Sequence, residues 1–143
     1  MSNDRDKPQP SDDRLLASES PGDSILLVDD EAVLAGLLSQ FLSMRGYRIR
    51  AARNGQEALA LIDEELPRLV ILDMYMPGMN GVEVLREMRV RGYKGGVIAL
   101  TASQDEKLLQ QILELGSVDV MAKPVDLERL ELVIQVALVT TTT

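Results

Sequence analysis

Five short apolar runs alternate along the chain with stretches whose apolar residues recur at helical spacing. Two of the runs, Ile25-Leu26-Leu27-Val28 and Leu69-Val70-Ile71-Leu72, are unbroken and end at acidic residues. Short continuous apolar runs of this kind suit strands buried on both faces of a parallel sheet. Strands are predicted at 24–28, 47–51, 69–72, 97–100 and 118–121, and helices at 31–45, 55–65, 81–90, 104–115 and 126–139. The first helix carries Val33, Leu34, Leu37, Leu38, Phe41 and Leu42 at helical spacing, and Gly46 follows where a C′ residue belongs. Gly116 is placed to end the fourth. Asn54 with Glu57, Asn80 with Glu83, and Ser103 with Glu106 carry the spacing of a capping box at three helix starts. In the last helix Leu127, Leu130, Ile134 and Leu138 form a core-facing stripe. Val133, Val136 and Val139 fall largely outside it and read as a surface for a partner, a homodimer or a segment absent from this chain, against the plainer reading of an apolar helix.

Five βα repeats imply an α/β fold, a doubly wound five-stranded parallel sheet covered on both faces with right-handed crossovers. A chain of 143 residues accommodates one such domain. Residues 1–22, rich in Asp, Ser and Pro around Leu15-Leu16-Ala17, read as a disordered leader. The domain is expected over 23–139, with 140–143 as a tail.

Composition removes several chemistries. There is no cysteine and no histidine, so thiolate, zinc-thiolate and imidazole chemistry are closed to this chain. Any nucleophile is a carboxylate, hydroxyl or amine. A net charge of −8 argues against nonspecific binding to nucleic acid. No apolar stretch approaches the roughly 20 residues of a membrane span, and the N-terminus lacks the order of a signal peptide. A cytoplasmic location, with neither nucleic acid nor membrane as partner, is expected.

The predicted strand ends collect reactive side chains: Asp29 and Asp30 after the first, Asp73 after the third, Thr101 after the fourth, Lys123 after the fifth. Ligands gather at the carboxyl ends of such sheets. Three carboxylates converging there repel one another unless a cation neutralises them, and Mg²⁺, a hard cation with oxygen ligands, suits the role. A carboxylate can also attack phosphorus to form an acyl phosphate, with a metal, an ammonium and a hydroxyl cancelling charge on the phosphoryl oxygens. Taken singly, each residue has a plainer reading: Asp29-Asp30 as a helix cap, Asp73 as a turn former, Lys123 as a solvated loop lysine.

The segments Leu27-Val28-Asp29-Asp30-Glu31, Leu72-Asp73-Met74-Tyr75-Met76-Pro77-Gly78-Met79-Asn80-Gly81, Leu100-Thr101-Ala102 and Ala122-Lys123-Pro124, in that order, resemble the receiver domains of two-component response regulators. The resemblance implies a flavodoxin-like (βα)5 fold with strand order 2-1-3-4-5, an order for which receivers are a standard example. It implies that Asp73 accepts a phosphoryl group from a sensor histidine kinase or a histidine phosphotransfer protein, in a regulatory domain rather than an enzyme. Asp29, Asp30, Asp73 and the backbone carbonyl of Tyr75 would hold Mg²⁺. Lys123 would pair with the phosphoryl oxygens, Thr101 would bind them after transfer, and the Lys123–Pro124 peptide would be cis. One position departs from the family pattern. Many receivers carry Tyr or Phe three residues before the lysine, where this chain has Val120, so an aromatic readout is not expected. Two competing functions follow: a receiver-like module that binds or dimerises without phosphorylation, and a Mg²⁺-dependent phosphatase, which often carries a second acid where Tyr75 stands.

Overall fold

The computed structural model describes residues 24–102, 106–116 and 118–140. Strands β1 (Ser24–Val28), β2 (Arg48–Ala52), β3 (Leu69–Asp73), β4 (Gly96–Thr101) and β5 (Val118–Ala122) alternate with helices α1 (Ala32–Met44), α2 (Gly55–Glu64), α3 (Gly81–Val90), α4 (Glu106–Glu114) and α5 (Leu127–Thr140). All strand pairs are parallel, in the order β2-β1-β3-β4-β5. The predicted flavodoxin-like topology is the observed one, with boundaries moved by a residue or two. Residues 1–22, the Ser103 cap and residues 141–143 lie outside the described residues.

The alternation of strand side chains divides the core in two. Leu26, Val28, Val70, Leu72, Val97 and Ala99 face α2, α3 and α4. Ile25, Leu27, Leu69, Ile71, Ile98 and Leu100 face α1 and α5. The strands β1, β3 and β4 are buried throughout, as their unbroken apolar sequences require. Each fully buried Leu or Ile contributes about 1.5–3 kcal/mol of transfer free energy, so these three strands anchor the fold.

Helix α1 is only partly covered, and one face of α5 differs from expectation. On α1 only Leu38 and Leu42 are buried; Leu34 and Phe41 are partly covered, while Val33 and Leu37 stand exposed. One sheet face and one neighbouring helix cannot cover so broad a stripe. On α5 the buried positions are Leu130, Ile134 and Ala137, with Leu127, Val133 and Leu138 packed at the margin. Val133 therefore belongs to the core side, and the exposed stripe is Leu132, Val136 and Val139.

The helix ends follow their sequences closely. At α1 the Gly46 N–H reaches Ser43 O and the Tyr47 N–H reaches Leu42 O, with Gly46 at φ 98°, which completes a Schellman motif. Asn80 forms a reciprocal capping box with Glu83. Asn54 caps α2, but Glu57 reaches past it to accept from the Arg53 N–H, so that box is only half formed. Arg89 donates to the carbonyls of Leu115, Tyr93 and Gly95, tying the end of α3 to α4 and the entry of β4. At the amino pole of the sheet, the Arg68 N–H bonds Ser24 O and its guanidinium bonds Leu138 O. The start of β1 and the end of α5 thus meet at one residue.

Candidate functional site

Strand order creates the site. The chain leaves β1 toward one side of the sheet and β3 toward the other, so a crevice opens between their carboxyl ends. Val28 and Leu72 are register partners, which brings Asp29 and Asp73 side by side. Two backbone bonds hold the loops in place: Asp29 N–H to Ala52 O at 3.1 Å and Met74 N–H to Leu100 O at 2.9 Å. Gly81 sets the approach of α3 beneath Asp73. A Cβ there would lie 2.5 Å from Met74 Cα and 2.7 Å from the Asp73 carbonyl oxygen, so only glycine fits against this backbone.

The structure brings Asp29, Asp30 and Asp73 together, each offering a carboxylate oxygen within 4.8 Å of the others. Asp29 and Asp73 are buried and Asp30 is exposed. Asp29 Oδ1 accepts from the Glu31 N–H at 2.9 Å, and Asp73 Oδ1 accepts from the Tyr75 N–H at 3.1 Å. The second oxygens of both acids turn to Lys123, whose Nζ lies 3.2 Å from Asp29 Oδ2 and 3.3 Å from Asp73 Oδ2. Asp29 Oδ2 is buried and, despite this ion pair, accepts no hydrogen bond. A buried carboxylate oxygen with unfilled lone pairs beside two further acids is the donor set that a hard divalent cation favours. The residues fit Mg²⁺.

Lys123 enters from the loop after β5, the edge strand of the sheet. Its N–H bonds Thr101 O at 2.8 Å, and the Lys123–Pro124 peptide is cis. Burial works against the ammonium, but the Glu31 hydrogen bond and the charges of Asp29 and Asp73 outweigh it and hold the Lys123 pKa above its ordinary value. At Asp73 the balance falls the other way. Burial is the largest influence and raises the carboxyl; the Tyr75 N–H opposes it, Asp29 repels, and Lys123 attracts. The outcome is a pKa pushed up from 3.8 to about 6. The site therefore holds an acid at a cost that an incoming positive charge would relieve.

Asp30, Glu31, Asp73, Tyr75, Ala102 and Lys123 line a cavity of about 330 Å³ over this cluster. Tyr75 stands half-exposed at its edge. Thr101 is buried at the end of β4, one residue beyond the Leu100 that pairs with Asp73. Val120 sits on β5 opposite Ala99 and packs at the margin of the α2–α4 core, so the sheet carries an aliphatic side chain there.

Glu31 joins the site although nothing in its motif assigns it a role. It places Oε1 2.7 Å from Lys123 Nζ, the shortest of the three contacts to that ammonium. A sequence signal existed. Glu31 occupies the N-cap of α1, where Ser, Thr, Asp or Asn is preferred, and its side chain makes no capping bond.

A family model described as the response regulator receiver domain matches residues 25–135. Sporulation initiation phosphotransferase F of Bacillus subtilis (strain 168) is 38% identical over 108 residues, covering 76% of this chain and 87% of that protein. The probable C4-dicarboxylate response regulator DctR of Priestia megaterium is 38% identical over 110 residues, covering 76% of this chain and 48% of that protein. The chain thus spans about half the length of that regulator, and half or less of several other curated relatives. Among solved structures, the receiver domain of NtrX from Brucella abortus superposes with a TM-score of 0.75 at 32% identity, covering 81% of this chain and 98% of that one. Sheet order, an acidic cluster at the crevice between β1 and β3, and a lysine from β5 reaching into it agree with that match, and the chain belongs to the response regulator receiver domain family.

Proposed function

We propose that the domain is a phosphoacceptor switch in which Asp73 receives a phosphoryl group from a sensor histidine kinase or a histidine phosphotransfer protein. The observation that carries this reading is the Asp73 carboxylate itself: buried, ion-paired to Lys123 at 3.3 Å, and beside two further acids at the mouth of a cavity. In the transfer an Asp73 carboxylate oxygen forms a bond to phosphorus as the bond from phosphorus to the donor's imidazole nitrogen or acyl oxygen breaks. The donor keeps that electron pair. Lys123 meets the phosphoryl oxygens, and Thr101, at the end of the neighbouring strand, donates its hydroxyl to one of them. The Tyr75 N–H keeps the attacking carboxylate oriented. Asp29, Asp30, Asp73 and the Tyr75 carbonyl would hold Mg²⁺, which when bound cancels charge on the oxygens in transfer. Conversion of Asp73 to an acyl phosphate adds charge beside Lys123 and shifts the population of two packings.

The remaining parts of the reading are a folded unit over 23–139 and a cytoplasmic setting. Among the described residues no helix is long and apolar enough to cross a membrane. Incubation with acetyl phosphate and Mg²⁺ should add one phosphoryl group by intact mass, removable by hydroxylamine, and Asp73→Asn should abolish the gain. Identical behaviour of wild type and Asp73→Asn would refute the reading.

A further inference from the structure

The Lys123 ammonium has three protons to donate and three carboxylates around it, Asp29, Asp73 and Glu31. Glu31 Oε1 holds the shortest contact at 2.7 Å, while Asp29 Oδ2 and Asp73 Oδ2 lie at 3.2 and 3.3 Å, so a phosphoryl oxygen arriving on Asp73 competes first with Glu31 for the ammonium. Asp29 is fully buried and its other oxygen is held by the Glu31 N–H, so its carboxylate stays in place. Asp73 carries the phosphoryl group itself. Glu31 has a side chain 59% exposed, returns to water freely, and recovers rotamer freedom on release.

We infer that Glu31 is a positioning residue acting through Lys123: it holds the ammonium before transfer and is the acid the incoming phosphoryl group displaces. This rests on the reading of Asp73 as acceptor. The local sequence supports it independently. A glutamate at the N-cap of α1 leaves the first-turn N–H groups without a side-chain cap, a departure from local preference that stability does not explain. The side chain reaches instead to a lysine 92 positions away. Only the Glu31 backbone N–H serves the rest of the site, through Asp29 Oδ1, and that bond survives a change of side chain.

Contact and charge are separable by two substitutions. Glu31→Gln removes the charge; Glu31→Asp keeps it but shortens the reach by one methylene. With acetyl phosphate and Mg²⁺ at fixed ionic strength, the rate of Asp73 modification is measured across donor concentrations, separating apparent donor affinity from maximal rate. Both variants should modify Asp73 about fivefold faster at subsaturating donor, the equivalent of the roughly 1 kcal/mol of an exposed ion pair, and the gain should lie in apparent affinity. An unchanged or slower rate in both overturns the inference. A gain in Glu31→Gln with Glu31→Asp matching wild type also overturns it, because bulk repulsion of the donor would then suffice. Wild type that takes up no phosphoryl group refutes the Asp73 reading instead, so the two failures are distinguishable.

Discussion

Asp73→Asn should make the metal-free protein more stable at neutral pH. The substitution keeps the shape of the side chain and removes a buried charge facing Asp29. Folding raises the Asp73 carboxyl from 3.8 to about 6. Two pH units at about 1.4 kcal/mol each bound the gain at about 3 kcal/mol. The pocket opens to solvent at Asp30 and Tyr75, and screening there brings the expected gain to about 1–2 kcal/mol. Lys123 loses one partner in the variant but keeps Asp29 and Glu31. The pH dependence has a definite sign. Between about pH 4 and pH 6 the folded wild type binds more protons at Asp73 than the unfolded chain, so its stability falls as pH rises through that window. The variant lacks this dependence. Its advantage should be full above the folded pKa of about 6, shrink as Asp73 takes up its proton, and vanish near pH 4. Urea unfolding of both proteins in EDTA, at several pH values, reads the difference directly, and acid effects common to both cancel. Mg²⁺ should then stabilise wild type by mass action and narrow the gap. A variant no more stable at neutral pH, or a gap constant with pH, would falsify this reasoning.

Three further outcomes follow from the frame around the site. Gly81→Ala should cost about 1–3 kcal/mol in urea unfolding, because its Cβ meets the Asp73–Met74 backbone, and should slow Asp73 modification as well. Asn80→Ala should remove about 1 kcal/mol by opening the capping box of α3, with modification largely kept; a loss of modification equal to that of Gly81→Ala would contradict the separation. Arg89→Leu should destabilise by about 1–3 kcal/mol, since the carbonyls of Leu115, Tyr93 and Gly95 lose a shared donor, and hydrogen exchange should quicken at the end of α3.

What the sequence reveals here depends on how local the cause is. Ile25–Val28 and Leu69–Leu72 announce their burial in their own composition, and Asp29 and Asp73 announce the pocket by following such runs. The Asn80 box is also local, because both halves lie within one turn. The Asn54 box differs because Glu57 had two N–H groups within reach and took the one on Arg53. The α1 and α5 faces were harder still. Helical spacing marks which residues share a side, but how much of that side is covered depends on a neighbouring helix far along the chain. Hence Leu37 is exposed and Val133 sheltered, against a reading made one helix at a time. Glu31 shows the same limit. Its partner is 92 residues away, and only an ill-suited N-cap hinted at it.

The junction at Arg68 carries a wider implication. Ser24 and Leu138 are fastened to the same residue at the pole of the sheet opposite Asp73. Strands run from that pole to the pocket, and α5 runs back, so both ends of the described domain open on the side away from the chemistry. A five-residue strand is about 17 Å long, which separates that pole from the pocket. Neither end of the described domain therefore lies at the approach to Asp73. Linking the two ends directly and reopening the chain at a surface loop away from the pocket should accordingly leave the pocket intact.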